Sequence, residues 1–335
     1  MCDPQLHCSP NYKFNEHTFN EYYAELEQFM YTGKSVKYHV VLPLENFDCT
    51  LREPVIQLSN NIRIVSASST FYSDIIEEDK DRWMNELCYD VDYYCPPEFF
   101  LEIDRIMKRK TVLSSNEENI FDDMKDKWRE ALKILMLFNE GDLSFGYAYL
   151  YSKLPCDPQY IGDTMLAYKG NYDTPNKYIL KEDDIKNLQL LFTKYSSNIK
   201  KEGFPQSSID YLYEGADEKK PEKRLLDYCN GLERLLVKEQ TNTKDLLAKR
   251  VANFIGENKE GWIEIHENVE NVYRRFRNKL SHGNKDEVSL SECKEHCKTM
   301  ENYTRQVINK CLNMVDKGLT KQDFLKIIET VPFPR

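Results

Sequence analysis

Cys293, Cys297, Met300, Thr304, Val307, Cys311 and Met314 recur at alternating steps of four and three residues. In a strand that spacing would scatter the seven side chains over both faces, whereas in a helix it gathers them on one side. A seam this long must be covered by other helices. Ser289 followed by Glu292 forms a capping-box start for this helix, and Gly318 supplies a C′ stop. Three shorter stripes precede it: Leu225, Cys229, Leu232 and Leu236; then Leu247, Val251, Phe254 and Ile255, closed by Gly256; then Ile265, Val269, Val272, Phe276 and Leu280. Thr320 to Thr330 reads as a last short helix. The spacing therefore predicts an antiparallel all-α helical bundle over residues 206–335.

The preceding chain has a different texture. Val36 to Leu44 and Ile62 to Ala67 are rich in β-formers, with Pro43, Pro54 and Asn60-Asn61 as punctuation. Phe145, Tyr147, Tyr149 and Tyr151 alternate with small or apolar residues, a strand signature. Between these segments, Met124, Trp128, Leu132, Leu135 and Phe138 lie near helical spacing within a helix expected over 122–138 and followed by Gly141. Residues 36–205 thus read as an α+β domain with a sensing or regulatory role. Residues 1–35 read as a helical extension, with Phe19, Tyr22, Tyr23, Leu26 and Phe29 or Met30 on one side and Gly33 as a stop. A chain of 335 residues suits this division into two domains and a small extra element.

Composition narrows the class. A hydrophobic content of 41% with 30% charged residues describes an ordinary globular chain. The run from Ala131 to Phe138, broken by Lys133, is far too short for a membrane span, and Met1-Cys2-Asp3-Pro4 lacks the basic and apolar regions of a secretory signal. Ten cysteines without framework spacing read as reduced thiols, so the expected location is the cytoplasm. A net charge of −10 argues against a protein that coats nucleic acid along its whole surface. Arg274, Arg275, Arg277 and Lys279 form the densest basic cluster, which would confine nucleic-acid contact to one spot.

That cluster surrounds an Arg-x4-His pair, Arg277 and His282. A guanidinium holds phosphate, and an imidazole titrates near neutral pH, so the pair suits phosphodiester chemistry. Taken by spacing alone, it equally describes a surface arginine-rich turn with a capping histidine. Phe276 and Leu280 belong to the buried stripe, so Arg277 falls at its border. In an unbroken α-helix His282 would lie about 140° round from Arg277. Gly283 and Asn284 suggest that the helix ends here and frees the imidazole to turn; the alternative is that Arg277 of one subunit faces His282 of another. Either way, a histidine at a helix C-terminus is favoured in its protonated form.

The segments from Arg224 to Asn284 resemble the HEPN superfamily, in its Apea-like branch. The resemblance rests on three runs in order: Leu225-x3-Cys229-x-Gly231-Leu232-Glu233-x-Leu235-Leu236; Leu246-x3-Arg250-x-Ala252-x-Phe254-Ile255-Gly256; and Val272-Tyr273-x3-Arg277-Asn278-Lys279-Leu280-Ser281-His282-Gly283. Residues 36–151 resemble the variable N-terminal halves attached to this branch more loosely. The resemblance implies an endoribonuclease that needs no metal or other cofactor, of the kind found among prokaryotic toxins and anti-phage (abortive infection) effectors. It implies a homodimer or higher homo-oligomer in which two motifs meet, with RNA, tRNA above all, as substrate. By position, Arg277 would bind the scissile phosphate and stabilise its transition state. His282 would deprotonate the ribose 2′-hydroxyl or protonate the leaving oxygen. Asn278 would orient the histidine or the phosphate; Tyr273, Arg274, Lys279 and Ser281 flank the site and would touch RNA. The alternative from another class is a non-catalytic HEPN module that binds RNA or a protein through the same patch.

Other candidates have plainer explanations. Cys293, His296 and Cys297 could suggest zinc, yet both cysteines lie on the helical seam and no second ligand pair follows, so core packing is expected. Cys2, His7, Cys8 and His17 are irregularly spaced for a metal site. The Phe145–Tyr151 stripe could stack bases, but it reads first as the packed face of a sheet. Asp90 and Asp92 lack the Gly-Ser element of a nucleotidyltransferase and read as a solvated acidic face. Walker, nucleophile-elbow and His-Glu-x-x-His motifs are all absent from the sequence.

Overall fold

Tyr38, Val40, Leu42 and Leu44 alternate with His39 and Val41 along β1 (Ser35–Leu44), and both sets are buried, so this strand must lie in the middle of a covered sheet. In a computed structural model that describes residues 20, 23–24, 35–50, 55–67, 72, 75–76, 97–108, 117–141, 143, 145–153, 158–168, 177–195, 205–218, 220–237, 243–281, 289–315 and 317–330, it does. β1 pairs antiparallel with β5 (Phe99–Lys108) from Ser35↔Lys108 to Leu44↔Phe99, and with β6 (Phe145–Lys153) from Lys37↔Lys153 to Val41↔Tyr149. With β3 (Val55–Ser59), β4 (Ile62–Ser66) and β7 (Pro158–Tyr168) the sheet has the order β3-β4-β5-β1-β6-β7, antiparallel throughout. Pro43 does not end β1: it lies past Val41, the last residue paired with β6, at a strand end where a missing N–H is tolerated. A small parallel pair, β2 (Phe47–Cys49) with β8 (Tyr178–Leu180), lies apart from the main sheet.

One sheet face packs against α1 (Glu117–Phe138) and the helices beyond it. Val41, Val65, Tyr72, Ile75, Phe100, Tyr149 and Tyr151 form a second cluster on the other face. Tyr149 and Tyr151 are thus core residues; the side chains of Phe145 and Tyr147 lie outside the described residues. The C-terminal half of α1 is apolar nearly all round because it is covered on both sides, by the sheet and by helices. The last carbonyls of α1 are met from outside the helix, Leu135 O also by the Asn139 N–H at 3.2 Å. Arg305 Nε donates to Met136 O at 2.7 Å, Asn309 Nδ2 to Leu137 O at 2.8 Å, and the Tyr178 hydroxyl to Leu135 O at 2.9 Å. Arg305 also places a positive charge at the negative end of the α1 dipole.

After a 3-10 turn (Glu182–Asp184) come α2 (Ile185–Lys194), α3 (Gln206–Asp217), α4 (Pro221–Leu236), α5 (Thr243–Ile255) and α6 (Lys259–Val272). A π-turn (Tyr273–Arg277) leads into α7 (Asn278–Ser281), followed by α8 (Leu290–Val315) and α9 (Lys321–Thr330). The N-terminal part is therefore an antiparallel sheet with helices, and the C-terminal region is helical among the described residues. The apolar core runs without a break from the sheet through α1 into these helices.

The seam of α8 is buried as its spacing requires, with Cys293, Cys297, Met300, Thr304, Val307 and Cys311 facing α4 and α5. The Glu292 N–H donates to Ser289 Oγ at 3.4 Å, the expected cap. Gly318 has φ +76°, the left-handed stop that favours glycine. Gly215 has a different role. A Cβ there would fall 2.6 Å from Tyr228 Cε1, so only glycine lets α3 lie flat on that ring. The bundle segments that carry the basic motif are fixed by this packing.

Candidate active site at the end of helix α6

α6 starts with a sound cap, Asn258 Oδ1 accepting from the Gly261 N–H at 2.8 Å, and buries Val269 and Val272. It then widens. Across Tyr273–Arg277 the backbone follows π geometry, and the Asn278 N–H donates five residues back to Tyr273 O. Turns of this kind cost energy relative to a regular helix, so tertiary contacts must hold them. Here Tyr273 and Phe276 are both buried, at 2% and 1% exposure, and Leu280 continues the stripe in α7.

Two side chains of the π-turn, Tyr273 and Arg277, converge on one carboxylate from α4. Arg277 Nε donates to Glu233 Oε1 at 2.8 Å, and Nη2 donates to Oε2 at 3.1 Å. The Tyr273 hydroxyl donates to the same Oε1. The Arg277 guanidinium also lies over the Tyr273 ring, 5.6 Å from its centroid. The arginine and glutamate side chains are 26% and 21% exposed, so the pair sits at the border between core and water. Burial pushes the Tyr273 phenol well above its ordinary range, and the charge and hydrogen bond of Glu233 add to this. Partial burial lowers Arg277, but the hydrogen bonds and charge of Glu233 outweigh it and raise the guanidinium above its usual value. Beneath the pair, burial first and Glu233 second push the Cys229 thiol up, so it stays protonated and inert.

On the outer side, Arg274 and Asn278 are exposed and Lys279 is half-buried. Arg275 donates to Glu292 at 2.7 Å and lies 5.5 Å from the Phe276 ring centroid. His296 tilts against the other side of Phe276, at 5.1 Å. Cys293 and Cys297 are buried in the core, and no group of three potential metal ligands occurs among the described residues. The structure thus brings Tyr273, Arg274, Arg277, Asn278 and Lys279 to one helix end. His282, the Ser281 side chain, Asp90, Asp92, Cys2, His7, Cys8 and His17 lie outside the described residues.

The sequence predicts no role for Glu233, although it lies within the first of the three HEPN-like runs. The available signal is an acid directly beside Leu232, at the edge of a buried stripe, where an acid needs a partner.

A second polar cluster lies on the sheet face away from α1. His39 Nε2 donates to Glu102 Oε1 at 3.0 Å, and Nδ1 donates to Asp104 Oδ1 at 2.7 Å. Carboxylates only accept, so both ring nitrogens carry protons and His39 is an imidazolium. Arg63 donates to Glu102 and, at 3.4 Å, to Asp104; Lys37 reaches Asp104 at 2.7 Å, and the Tyr72 hydroxyl donates to Glu102. His39 is 2% exposed with both nitrogens engaged, so it offers no atom for proton transfer to a substrate. This cluster builds the sheet.

No protein-family model, curated protein or solved structure matches this chain. No helix among the described residues is long and apolar enough to cross a membrane.

Proposed function

We propose that the protein is a metal-independent endoribonuclease of the HEPN type, with Arg277 and His282 as its catalytic pair. The observation that carries this reading is the fixed guanidinium of Arg277, gripped by both oxygens of Glu233 at a widened helix turn five residues before His282. π-turns inside helices cluster at functional sites, and an arginine held in one orientation is suited to a developing phosphorane charge. In the proposed reaction His282 takes the proton from a ribose 2′-hydroxyl, and the 2′-oxygen attacks the adjacent phosphorus. The 5′-oxygen leaves with a proton, giving a 2′,3′-cyclic phosphate. Asn278 orients the imidazole or the phosphate. A single histidine cannot readily serve both proton transfers, which favours a homodimer or larger homo-oligomer with two motifs facing each other.

A free ribonuclease would harm its own cell. The reading therefore assigns the α+β part to restraint, released by a phage-derived or stress signal, in a cytoplasmic toxin or abortive-infection effector with tRNA as the expected substrate. The second reading, a non-catalytic RNA- or protein-binding module, draws support from the same ion pair, since an arginine bonded to a carboxylate can serve packing alone.

Incubation of purified protein with tRNA in EDTA separates the two. Wild type should cleave and leave cyclic phosphate ends, DNA should survive, and His282→Ala and Arg277→Ala should each lose about 1,000-fold or more in rate. Equal RNA binding by all three proteins without cleavage supports the module instead.

A further inference from the structure

We propose that Glu233 and Tyr273 are positioning residues that hold the Arg277 guanidinium in the orientation in which it meets a phosphodiester. This rests on the reading that Arg277 contacts RNA phosphate and extends it to two residues without an assigned part in the chemistry. A guanidinium can bind an oxyanion bidentately along its Nε/Nη2 edge or its Nη1/Nη2 edge. Glu233 takes the first, at 2.8 and 3.1 Å. A phosphodiester reaching Arg277 thereby meets a guanidinium whose plane the carboxylate has already set.

The orientation is fixed in two further ways. The face of Tyr273 lies 5.6 Å from the guanidinium carbon and resists tilting of its plane. The hydroxyl of the same ring donates to Glu233 Oε1, so the residue supporting the arginine also anchors the carboxylate that grips it. Tyr273 is buried and cannot swing away without opening the core. Both residues lie in the π-turn, Tyr273 facing the core and Arg277 at its border. A lone surface arginine loses rotamer freedom when it binds its ligand. Arg277 has lost it already, which is the usual way that a site is made ready for a transition state. The neighbouring Arg275 and Glu292, 47% and 38% exposed, meet through one hydrogen bond, and the Phe276 ring beside Arg275 has no hydroxyl to anchor the acid.

The test uses full-length protein and tRNA, with wild type, Glu233→Gln, Tyr273→Phe, Arg277→Ala and the Glu233→Gln/Arg277→Ala double variant. Glu233→Gln should lower kcat about 100-fold while KM moves by about threefold or less, the pattern of lost aim at the transition state. Tyr273→Phe should lower kcat by roughly tenfold. Adding Glu233→Gln to Arg277→Ala should cost nothing further, because no guanidinium is left to orient. Wild-type kcat for Glu233→Gln, or a further loss in the double variant, overturns the inference. Should Glu233→Gln fail to fold, Tyr273→Phe carries the same split between kcat and KM, and a wild-type kcat there overturns it. If wild-type protein cleaves no RNA, the ribonuclease reading falls, and tRNA binding decides. Glu233→Gln weakening the Kd to the level of Arg277→Ala supports positioning, and an unchanged Kd overturns it.

Discussion

The two polar clusters have the same parts in different surroundings. On the sheet, Glu102 accepts from Tyr72, Arg63 and His39; on α4, Glu233 accepts from Tyr273 and Arg277. The first is closed. Its residues are cross-strand partners, Arg63↔Glu102 and His39↔Asp104, and the central imidazolium is walled in by two carboxylates. A slip of one residue in β1 or β5 would turn these charges toward α1 and its apolar core, so the cluster fixes register. The second stands at a helix end, a fifth to a quarter exposed, next to the densest basic patch of the chain. An acid–arginine–tyrosine set acquires its chemistry from where it is placed: sealed on both sides it specifies a fold, and at a border it can hold a cation ready for a ligand.

The strongest way to break the comparison is to neutralise each acid. Glu102→Gln removes one of the two carboxylates that face His39 and Arg63 on a buried sheet face, and removing one partner of a buried pair costs about 3–5 kcal/mol. Urea unfolding should show this as a large drop in midpoint with little change in slope. A loss under about 1 kcal/mol would mean that the cluster is wetter than its burial indicates.

Acid should separate the clusters next. Burial alone would raise the Glu102 carboxyl, but hydrogen bonds from His39 and Tyr72 and the charges of His39 and Arg63 hold it down at about 2 from 4.5. Asp104 is lowered in the same way, against its burial, by His39, Lys37 and Arg63. A carboxylate with a depressed folded pKa contributes stability in full above its unfolded pKa, and that stability is lost as pH falls through the folded one. Most of the acid loss should therefore come between about pH 4.5 and 2. Asp227 has the opposite sign. Burial, followed by the charges of Glu214 and Glu218, raises it from 3.8 to about 6, so acidification from neutral pH first relieves that strain. Stability measured against pH should rise slightly and then fall, and Glu102→Gln should flatten the fall.

How much of this was legible in the sequence follows from the range of the interactions involved. The α8 seam, its Ser289 cap, the Gly318 stop and the Phe145–Tyr151 strand depend on neighbours within a few residues, and each can be read from spacing. The buried cysteines of the seam follow from the same periodicity. β7, β8 and the short helix α2 carry weak local patterns and take their form from partners far along the chain. The helix expected from residue 122 begins at Glu117, because a charged first turn hides a helix start. At the candidate site, Arg277 is legible as a residue bordering the stripe, but the π-turn is not: it is held by Glu233, 44 residues upstream. The sheet cluster was invisible for the same reason, since His39 meets Asp104 across 65 residues. Sequence spacing reveals periodic burial, and it does not reveal polar pairs made between distant elements.

Glu233→Gln should cost about 1 kcal/mol or less in stability, because its ion pair with Arg277 is partly solvated and such pairs contribute little. Its loss in melting temperature should therefore be a small fraction of that caused by Glu102→Gln, although both substitutions remove one negative charge from a carboxylate that accepts from a tyrosine. If the two losses are equal, the Arg277 cluster is as sealed as the sheet cluster and serves packing. If Glu233→Gln leaves the fold intact while changing the reaction with RNA, stability and activity come apart at that residue. That separation would distinguish a carboxylate that maintains a fold from one that aims a guanidinium.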